Sequence, residues 1–126
     1  MKTAREYKDS LRDRNIKVYL KGALLDPKTL IDHPFVRGHV NSAAMTYALA
    51  STKEYEDLMT ATSHLTGRKI NRFTHIHQST DDLVKKVKML RMISQKTGTC
   101  YQRCVGFDAM NATYSVTYEC DQAMGT

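Results

Sequence analysis

Two cysteines four residues apart, Cys100 and Cys104, are the side chains of this sequence best suited by type and spacing to do chemistry. They follow Thr-Gly-Thr at residues 97–99, which favours a helix start, so the sequence predicts a helix from about Cys100 to Glu119. On one helix face their Cβ atoms would lie about 5–6 Å apart. The positive end of the helix dipole would favour thiolates, and two adjacent thiolates form half of a soft-metal or iron–sulfur site.

The residues alone leave three interpretations of this pair open. It can serve an iron–sulfur cluster, which usually takes four Cys, some of them replaceable by His. It can serve zinc, whose paired cysteines prefer two to four intervening residues. Both cysteines can instead be buried and act as small apolar residues. A disulfide across one helical turn is disfavoured by geometry. Because the only other cysteine is Cys120, either metal site would need ligands from elsewhere.

Two histidines and a basic helix are the other candidates for function. His75 and His77 would offer two ligands on one face of an extended segment, although such histidines are more often partly exposed polar residues. The basic stretch at residues 85–96 could contact nucleic acid, but few aromatic residues interleave with its lysines. A solvated helix face is therefore the preferred interpretation, and no nucleic-acid partner is expected. The sequence has no glycine-rich phosphate loop, nucleophile elbow or His-Glu-x-x-His motif.

Length and composition indicate one small globular domain. The chain has 126 residues, of which 41% are hydrophobic and 25% charged, as in ordinary globular proteins. No apolar run approaches the ~18 residues of a membrane span, and the charged residues 1–13 do not resemble a signal peptide. Three cysteines without such a signal favour a reducing, cytoplasmic compartment. The net charge of +6 permits an anionic partner without demanding one.

The elements that must position the cysteines are predicted to be mainly helices. Capping boxes predict helices over residues 3–15 and 51–59, and Asn41 is expected to cap a helix through residue 50. Residues 16–25 alternate in hydrophobicity around a glycine and predict a small β-hairpin. Serine followed by acidic residues opens a helix over residues 79–98. The helical pattern continues to the end of the sequence, which predicts an N-terminal part of a longer protein.

The helix over residues 79–98 carries an apolar stripe that is predicted to face the core. The stripe comprises Leu83, Val87, Leu90 and Ser94, flanked by Val84 and Ile93. The basic side chains lie largely off this stripe and are expected to face solvent. They are Lys85, Lys86, Lys88 and Arg91.

Several short motifs together point to one family. They are Asp32–Arg37, Ala44–Tyr47, Tyr55–Thr60, Ile70–Phe73, His77–Leu83, Lys86–Met89, Gln95–Thr97, Cys100, Gln102–Gly106 and Tyr118–Glu119. These motifs resemble the start of the 4-hydroxybutyryl-CoA dehydratase/vinylacetyl-CoA isomerase family, and the cysteine segment is the most specific of them. That family lies within the wider 4-hydroxyphenylacetate 3-hydroxylase-like flavoproteins. The flavin monooxygenases of this wider group share the hairpin and the His-Pro turn but do not carry the cysteine pair.

The resemblance implies a fold and a set of cofactors. Residues 1–126 would form the single, mainly α, N-terminal helical domain of an acyl-CoA dehydrogenase-like flavoprotein, whose middle β-domain and C-terminal helical domain lie outside this sequence. The family binds FAD and a [4Fe–4S] cluster held by three Cys and one His. Cys100 and Cys104 match the two N-terminal cysteine ligands. Gln102 matches a polar residue near the active site and is the expected catalytic residue. Cys120 matches no ligand and is treated as structural.

The resemblance also implies an activity. The full-length enzyme would be a hydro-lyase and isomerase that converts 4-hydroxybutyryl-CoA and vinylacetyl-CoA to crotonyl-CoA, and these residues alone would be inactive. Its expected partners are the CoA-thioester substrate, the rest of the enzyme chain and further copies in a homotetramer, without nucleic acid or membrane. Two alternatives stay open. One is the N-terminal domain of a 4-hydroxyphenylacetate 3-monooxygenase-like flavoenzyme; the other is a non-enzymatic helical interaction module.

Overall fold

The computed structural model describes residues 1–14, 16–101 and 106–125, without the side chain of Asp108. The predictions for Gln102 and Cys104 lie outside the described residues. The chain divides into two compact units, Met1–Glu56 and Asp57–Thr126. Both units are mainly helical with small antiparallel hairpins, which confirms the mainly α prediction. None of the described helices is long and apolar enough to cross a membrane.

The first unit begins with the predicted capped helix. Helix α1 spans Ala4–Arg12. The Glu6 amide donates to Thr3 Oγ1 (3.2 Å), and the Thr3 amide donates to Glu6 Oε2 (2.7 Å). Both bonds of the capping box are therefore present. The Tyr7 ring stacks on Tyr47 of helix α2 (Arg37–Ala50), with 4.8 Å between the ring centroids.

The predicted hairpin lies between these helices. Strands β1 (Tyr19–Leu20) and β2 (Ala23–Leu24) pair antiparallel. The turn residues Lys21 and Gly22 both have positive φ, 50° and 85°. This is the backbone of a two-residue type I′ turn, which favours glycine because it has no Cβ to clash. The hairpin prediction for residues 16–25 is confirmed.

Two helix starts in this unit were predicted wrongly. Helix α2 begins at Arg37, and Asn41 lies inside it, where its Oδ1 accepts a hydrogen bond from Lys8 Nζ (2.7 Å). The hydroxyls of Ser51 and Thr52 do not cap a following helix. They donate back to carbonyls four residues earlier in α2, which is the competing local bond that such residues form. Helix α3 is consequently short, Glu56–Met59.

The second unit contains a hairpin that the sequence did not predict. Strands β3 (Thr60–Thr62) and β4 (Lys69–Asn71) pair antiparallel, and a short 3₁₀ helix, Arg72–Thr74, follows. The loop between the strands closes when the Ser63 amide donates to the Arg68 carbonyl (2.9 Å). Three-residue strands are too short to give a clear alternation, which is why the pattern was missed.

Helix α4 spans Thr80–Thr97, and helix α5 spans Gly106–Met124. The N-cap of α4 is Ser79, whose Oγ accepts from the Asp82 amide (3.2 Å). Its C-cap is Gly98 in the left-handed conformation, with φ 65°. Both ends of this helix agree with the prediction.

The buried face of α4 differs from the predicted stripe. Its buried side chains are Lys86, Met89, Leu90 and Ile93. Leu90 and Ile93 were predicted correctly, but Leu83, Val84 and Val87 are exposed and Lys86 is buried. The observed set is spaced i, i+3, i+4, i+7, and the predicted stripe i, i+4, i+7, i+11. Both spacings follow the helical period, so periodicity alone could not choose between the two faces.

Candidate functional site

Cys100 lies at the end of the segment that leaves helix α4. It is exposed and lines the rim of a cavity of about 440 Å³. The other lining residues are Arg91, Ser94, Gln95, Gly98 and Thr99. The Cys100 thiol is thus accessible to a ligand from outside this unit. Cys104 and Gln102 lie outside the described residues, so their predicted roles remain predictions.

The predicted helical placement of Cys100 is wrong. Residues 97–99 end helix α4 instead of starting a helix, because Gly98 takes the left-handed cap conformation and its amide donates to the Ser94 carbonyl (2.9 Å). The hydroxyl of Thr97 donates to the Ile93 carbonyl and lies 2.6 Å from that of Thr99. Cys100 therefore follows the C-terminal end of a helix, and the helix-dipole argument for a thiolate does not apply to it.

An aromatic cluster of Phe73, Tyr101 and Phe107 includes one residue on each side of residues 102–105. The Phe73 ring, in the 3₁₀ helix, lies 6.1 Å from the ring of Tyr101 and 5.0 Å from that of Phe107, measured between centroids. Tyr101 follows Cys100, and Phe107 is the second residue of α5. These spacings are typical of favourable aromatic pairs. The chain on either side of residues 102–105 is thereby joined to the same ring.

A buried arginine fixes the 3₁₀ helix that carries Phe73. The Arg72 guanidinium donates to the carbonyls of Leu58 (2.9 Å), Asp57 (3.0 Å) and Thr60 (2.6 Å), and to Asp82 Oδ1 (3.1 Å). Its side chain is only 4% exposed. Four acceptors around one planar group tie the end of β4 to α3, β3 and the first turn of α4.

Asp82 is the acidic centre of this polar network. Besides Arg72, its carboxylate accepts from the Gln78 amide (3.1 Å) and from Ser79 Oγ (3.1 Å), and it lies 3.3 Å from His75 Nε2. Burial by itself raises the pKa of this carboxyl. Hydrogen bonds from Gln78, His75 and Ser79 outweigh burial and lower the Asp82 pKa to about 2. Asp82 therefore stays ionised and holds the segment before α4 in place.

His75 and His77, which the sequence offered as possible ligands but more often as partly exposed polar residues, lie in different surroundings. His75 is buried at 3% exposure, and its Nε2 faces Asp82. His77 is half-buried, and burial lowers its pKa. In the described ranges no three Cys, His, Asp or Glu side chains gather where they could hold a metal ion. His75 was expected to be partly exposed, and that expectation is wrong because the residue belongs to the Arg72–Asp82 network.

Lys86 is a buried cation that the sequence interpretation placed in solvent. It is 2% exposed, its Nζ donates to Asn111 Oδ1 (2.5 Å), and the same Nζ lies 5.1 Å from the centroid of Phe107. Burial, with a smaller contribution from the charge of Arg72, lowers the pKa of Lys86 to about 8. The helical spacing of Lys86 with Met89 and Ile93 could have indicated that it lies on the buried face of α4. No sequence signal indicated that Arg72 and Phe73 would have a structural role.

With this geometry in hand, the chain can be compared with known proteins. The sequence profile of the 4-hydroxyphenylacetate 3-hydroxylase N-terminal domain matches residues 3–126. The chain belongs to this family. Its helices and small hairpins are therefore those of a family member's N-terminal region.

Two relatives within this family are dehydratases by name. The chain is 54% identical over 124 residues to the 4-hydroxybutyryl-CoA dehydratase/vinylacetyl-CoA-Δ-isomerase of Clostridium aminobutyricum, covering 98% of this chain and 25% of that protein. The solved oxygen-tolerant archaeal 4-hydroxybutyryl-CoA dehydratase of N. maritimus is 49% identical, with a TM-score of 0.80 over 98% of this chain and 24% of that one. The resemblance to the dehydratase family is confirmed, and the chain spans about a quarter of these relatives.

A third solved structure is more distant. The oxygenase component (HpaB) of 4-hydroxyphenylacetate 3-monooxygenase, complexed with FAD and 4-hydroxyphenylacetate, has a TM-score of 0.64 and 22% identity, covering 76% of this chain and 19% of that one. At this identity the likeness shows a shared fold. It does not carry the monooxygenase activity over to this family member.

Proposed function

We propose that this chain is the N-terminal domain of a 4-hydroxybutyryl-CoA dehydratase/vinylacetyl-CoA isomerase with an acyl-CoA dehydrogenase-like fold. The complete enzyme would remove water from 4-hydroxybutyryl-CoA and isomerise vinylacetyl-CoA. Within it, Cys100 and Cys104 would be ligands of a [4Fe–4S] cluster, and Gln102 would act beside the substrate. The remaining cluster ligands, most of the FAD site and the CoA-thioester site would come from sequence outside these 126 residues.

One contrast carries this proposal. The chain is 54% identical to a dehydratase/isomerase over 98% of its length, and 22% identical to a monooxygenase oxygenase component over 76% of its length. The structural likeness follows the same order, with TM-scores of 0.80 and 0.64. The monooxygenase alternative is supported by the shared fold and by the family profile named after the hydroxylase, but by no relative of comparable identity among these proteins. The other alternative, a non-enzymatic helical interaction module, has no supporting relative among these proteins.

The geometry around Cys100 is compatible with a cluster ligand. A thiol is the donor that iron–sulfur clusters take, and this one is exposed at the rim of a cavity. Its backbone follows a capped helix end in which Gly98 and the hydroxyls of Thr97 and Thr99 are bonded. A ligand on such a rigid support keeps its orientation when the partner ligands arrive from another part of the enzyme. Coordination itself would deprotonate the thiol, without help from a helix dipole.

The chain's own residues would bind the cluster and position the substrate, while the cofactors would carry the difficult chemistry. When bound, an iron–sulfur cluster with an open iron supplies a Lewis acid for a substrate hydroxyl, and FAD supplies redox chemistry. The two cysteines would fix the cluster against this domain. Gln102, between them in sequence, has an amide that can donate to or accept from a substrate carbonyl or hydroxyl.

The decisive experiment measures iron, sulfide and flavin after anaerobic purification of a full-length version and of this 126-residue chain. We expect cluster and FAD in the full-length protein, and loss of iron in Cys100→Ala and Cys104→Ala. Cys120→Ala is the matched control, because Cys120 is also exposed but lies on helix α5. Its iron content should equal that of the unmodified protein.

The same preparation separates the alternatives. FAD without iron in the full-length protein would overturn the dehydratase proposal in favour of a monooxygenase-like enzyme, with the cysteines as ordinary residues. If the cluster is present, Gln102→Ala should retain iron and lose dehydration of 4-hydroxybutyryl-CoA by about 10²-fold, the usual scale for a group that acts in proton transfer or charge stabilisation. The single-domain boundary, the cytoplasmic location and the homotetramer stay predictions.

A further inference from the structure

Tyr101 and Phe107, which flank residues 102–105, both contact the ring of Phe73. Their ring centroids are at most about 11 Å apart, from the 6.1 and 5.0 Å distances. The chain entering and the chain leaving residues 102–105 are therefore held near each other by a single side chain.

Phe73 is itself held by contacts that do not involve the cysteine segment. Its amide donates to Asn71 Oδ1 (3.1 Å), which caps the 3₁₀ helix. The neighbouring Arg72 is fixed by three carbonyls and by Asp82. Because Arg72 is buried and donates four hydrogen bonds, the backbone next to Phe73 is held independently of Tyr101 and Phe107.

We propose that Phe73 is a positioning residue for Cys100, in that its ring packs on the neighbouring Tyr101 and links it to Phe107 at the start of α5. It touches no reacting group in this role. The expected effect of Phe73 on iron content rests on the proposed function. Its expected effect on the stability of the chain over residues 99–107 does not. The two parts can therefore fail separately, and the test is designed to distinguish them.

The first measurement is amide hydrogen exchange by mass spectrometry on the full-length protein prepared without iron. Phe73→Leu keeps an apolar side chain and removes the aromatic pairs. We expect exchange of the peptide covering residues 99–107 to rise about tenfold, since two aromatic contacts are lost. The buried part of α4, residues 86–93, should exchange as before. Phe73→Tyr keeps an aromatic ring, so residues 99–107 should exchange as slowly as in the unmodified protein.

Two further variants keep this measurement decisive. Phe35→Leu is the matched control, because Phe35 is an exposed aromatic residue of the first unit that stacks on His33 at 5.9 Å, and it should leave residues 99–107 unchanged. If Phe73→Leu does not fold, Tyr101→Leu removes one of the two contacts and should give a smaller local rise. Unchanged exchange over residues 99–107 in both Phe73→Leu and Tyr101→Leu would overturn the proposal.

The second measurement is iron per chain in the full-length protein after anaerobic reconstitution. We expect Phe73→Leu to retain less than about a third of the iron, because misplaced ligands bind metal 10–100-fold more weakly when their supports are lost. Phe73→Tyr should retain all of it. Iron absent from the unmodified protein would refute the proposed function and leave the exchange result standing. If Phe73→Leu shows faster exchange but retains all of its iron, the inference that Phe73 positions a cluster ligand would be overturned.

Discussion

The two units of this chain use charged residues in opposite ways. In the first unit, Arg12 bonds Asp9 (2.9 Å) and Asp32 (3.3 Å), but its side chain is 42% exposed and the two carboxylates are more exposed still. In the second unit, Arg72 bonds Asp82 (3.1 Å), with side-chain exposures of 4% and 18%. The distances are similar, and only the surroundings differ.

That difference decides what each arginine can do. An exposed pair gains little, because water and salt screen it and two long side chains must be ordered. A buried pair cannot be left half-made, since the remaining charge would lack both water and partner. The Arg72 guanidinium also satisfies three backbone carbonyls. The exposed Arg12 pairs therefore add little to the first unit, whereas the buried Arg72 sets the local geometry of the second.

The largest expected effect tests this comparison directly. Arg72→Met leaves Asp82 and three carbonyls without their donor, and should destabilise the chain by about 3–5 kcal/mol. Arg12→Met, the matched control in the first unit, should cost less than about 1 kcal/mol. Urea unfolding of both variants at pH 7 gives the two values. Equal shifts in the two variants would show that burial does not separate the two units as argued.

A smaller effect appears when the chain is acidified. The folded pKa of Asp82 is about 2, below its ordinary 3.8, so its ionised form contributes stability that is complete above pH 3.8. That contribution, roughly 2 kcal/mol, is lost as the pH falls through 2. The free energy of unfolding, followed from pH 5 to 2, should fall less steeply in Asp82→Asn than in the unmodified chain.

Asp9→Asn provides the reference for this pH series, because Asp9 lies in an exposed pair of the first unit. Its profile should run parallel to that of the unmodified chain. If Asp82→Asn also runs parallel, the carboxylate network at the start of α4 does not hold the folded state, and the contrast between the units would be lost.

Local signals in the sequence were sufficient for part of this fold. The capping box at Thr3, the Ser79 cap, the Gly98 stop and the Gly22 hairpin were predictable because each depends on a side chain or glycine acting on its immediate neighbours. The β3–β4 hairpin was missed since its strands have only three residues each. Tertiary pairing, not alternation, defines such strands.

The chemistry proposed for the candidate site stays a prediction, and the helical placement of Cys100 was predicted wrongly. The thiol spacing pointed to Cys100, and the family resemblance supplied the proposed cluster. The Thr-Gly-Thr sequence was ambiguous, because glycine ends helices more often than it precedes them. The supports of the site, Arg72 and Phe73, depend on contacts with residues 10 to 34 positions away in the chain, such as Asp82 and Phe107. Such distant pairings leave no periodic signature in one sequence.

Substitution of Lys86 is expected to have the smallest effect on the free energy of unfolding. It compares Arg72 with a second buried cation of the same unit. Unlike Arg72, Lys86 has a neutral partner among the described side chains, Asn111, and an aromatic face, Phe107. Its folded pKa of about 8 lies below the ordinary 10.5, so the unfolded chain binds the extra proton between those values. Stability should therefore rise with pH from about 8 to 10.5, and the penalty is complete below pH 8.

Lys86→Met should remove this rise and, at pH 7, stabilise the chain by on the order of 1 kcal/mol. The gain from relieving a buried charge is partly offset by the lost bond to Asn111 and the lost contact with Phe107. Lys88→Met, at an exposed position of the same helix, should keep the rise and change stability little. Urea unfolding at pH 7, 8, 9 and 10.5 compares all three chains. Parallel profiles for Lys86→Met and Lys88→Met would mean that Lys86 reaches water. Of the two cations Arg72 and Lys86, only Arg72 would then affect the free energy of unfolding through its burial.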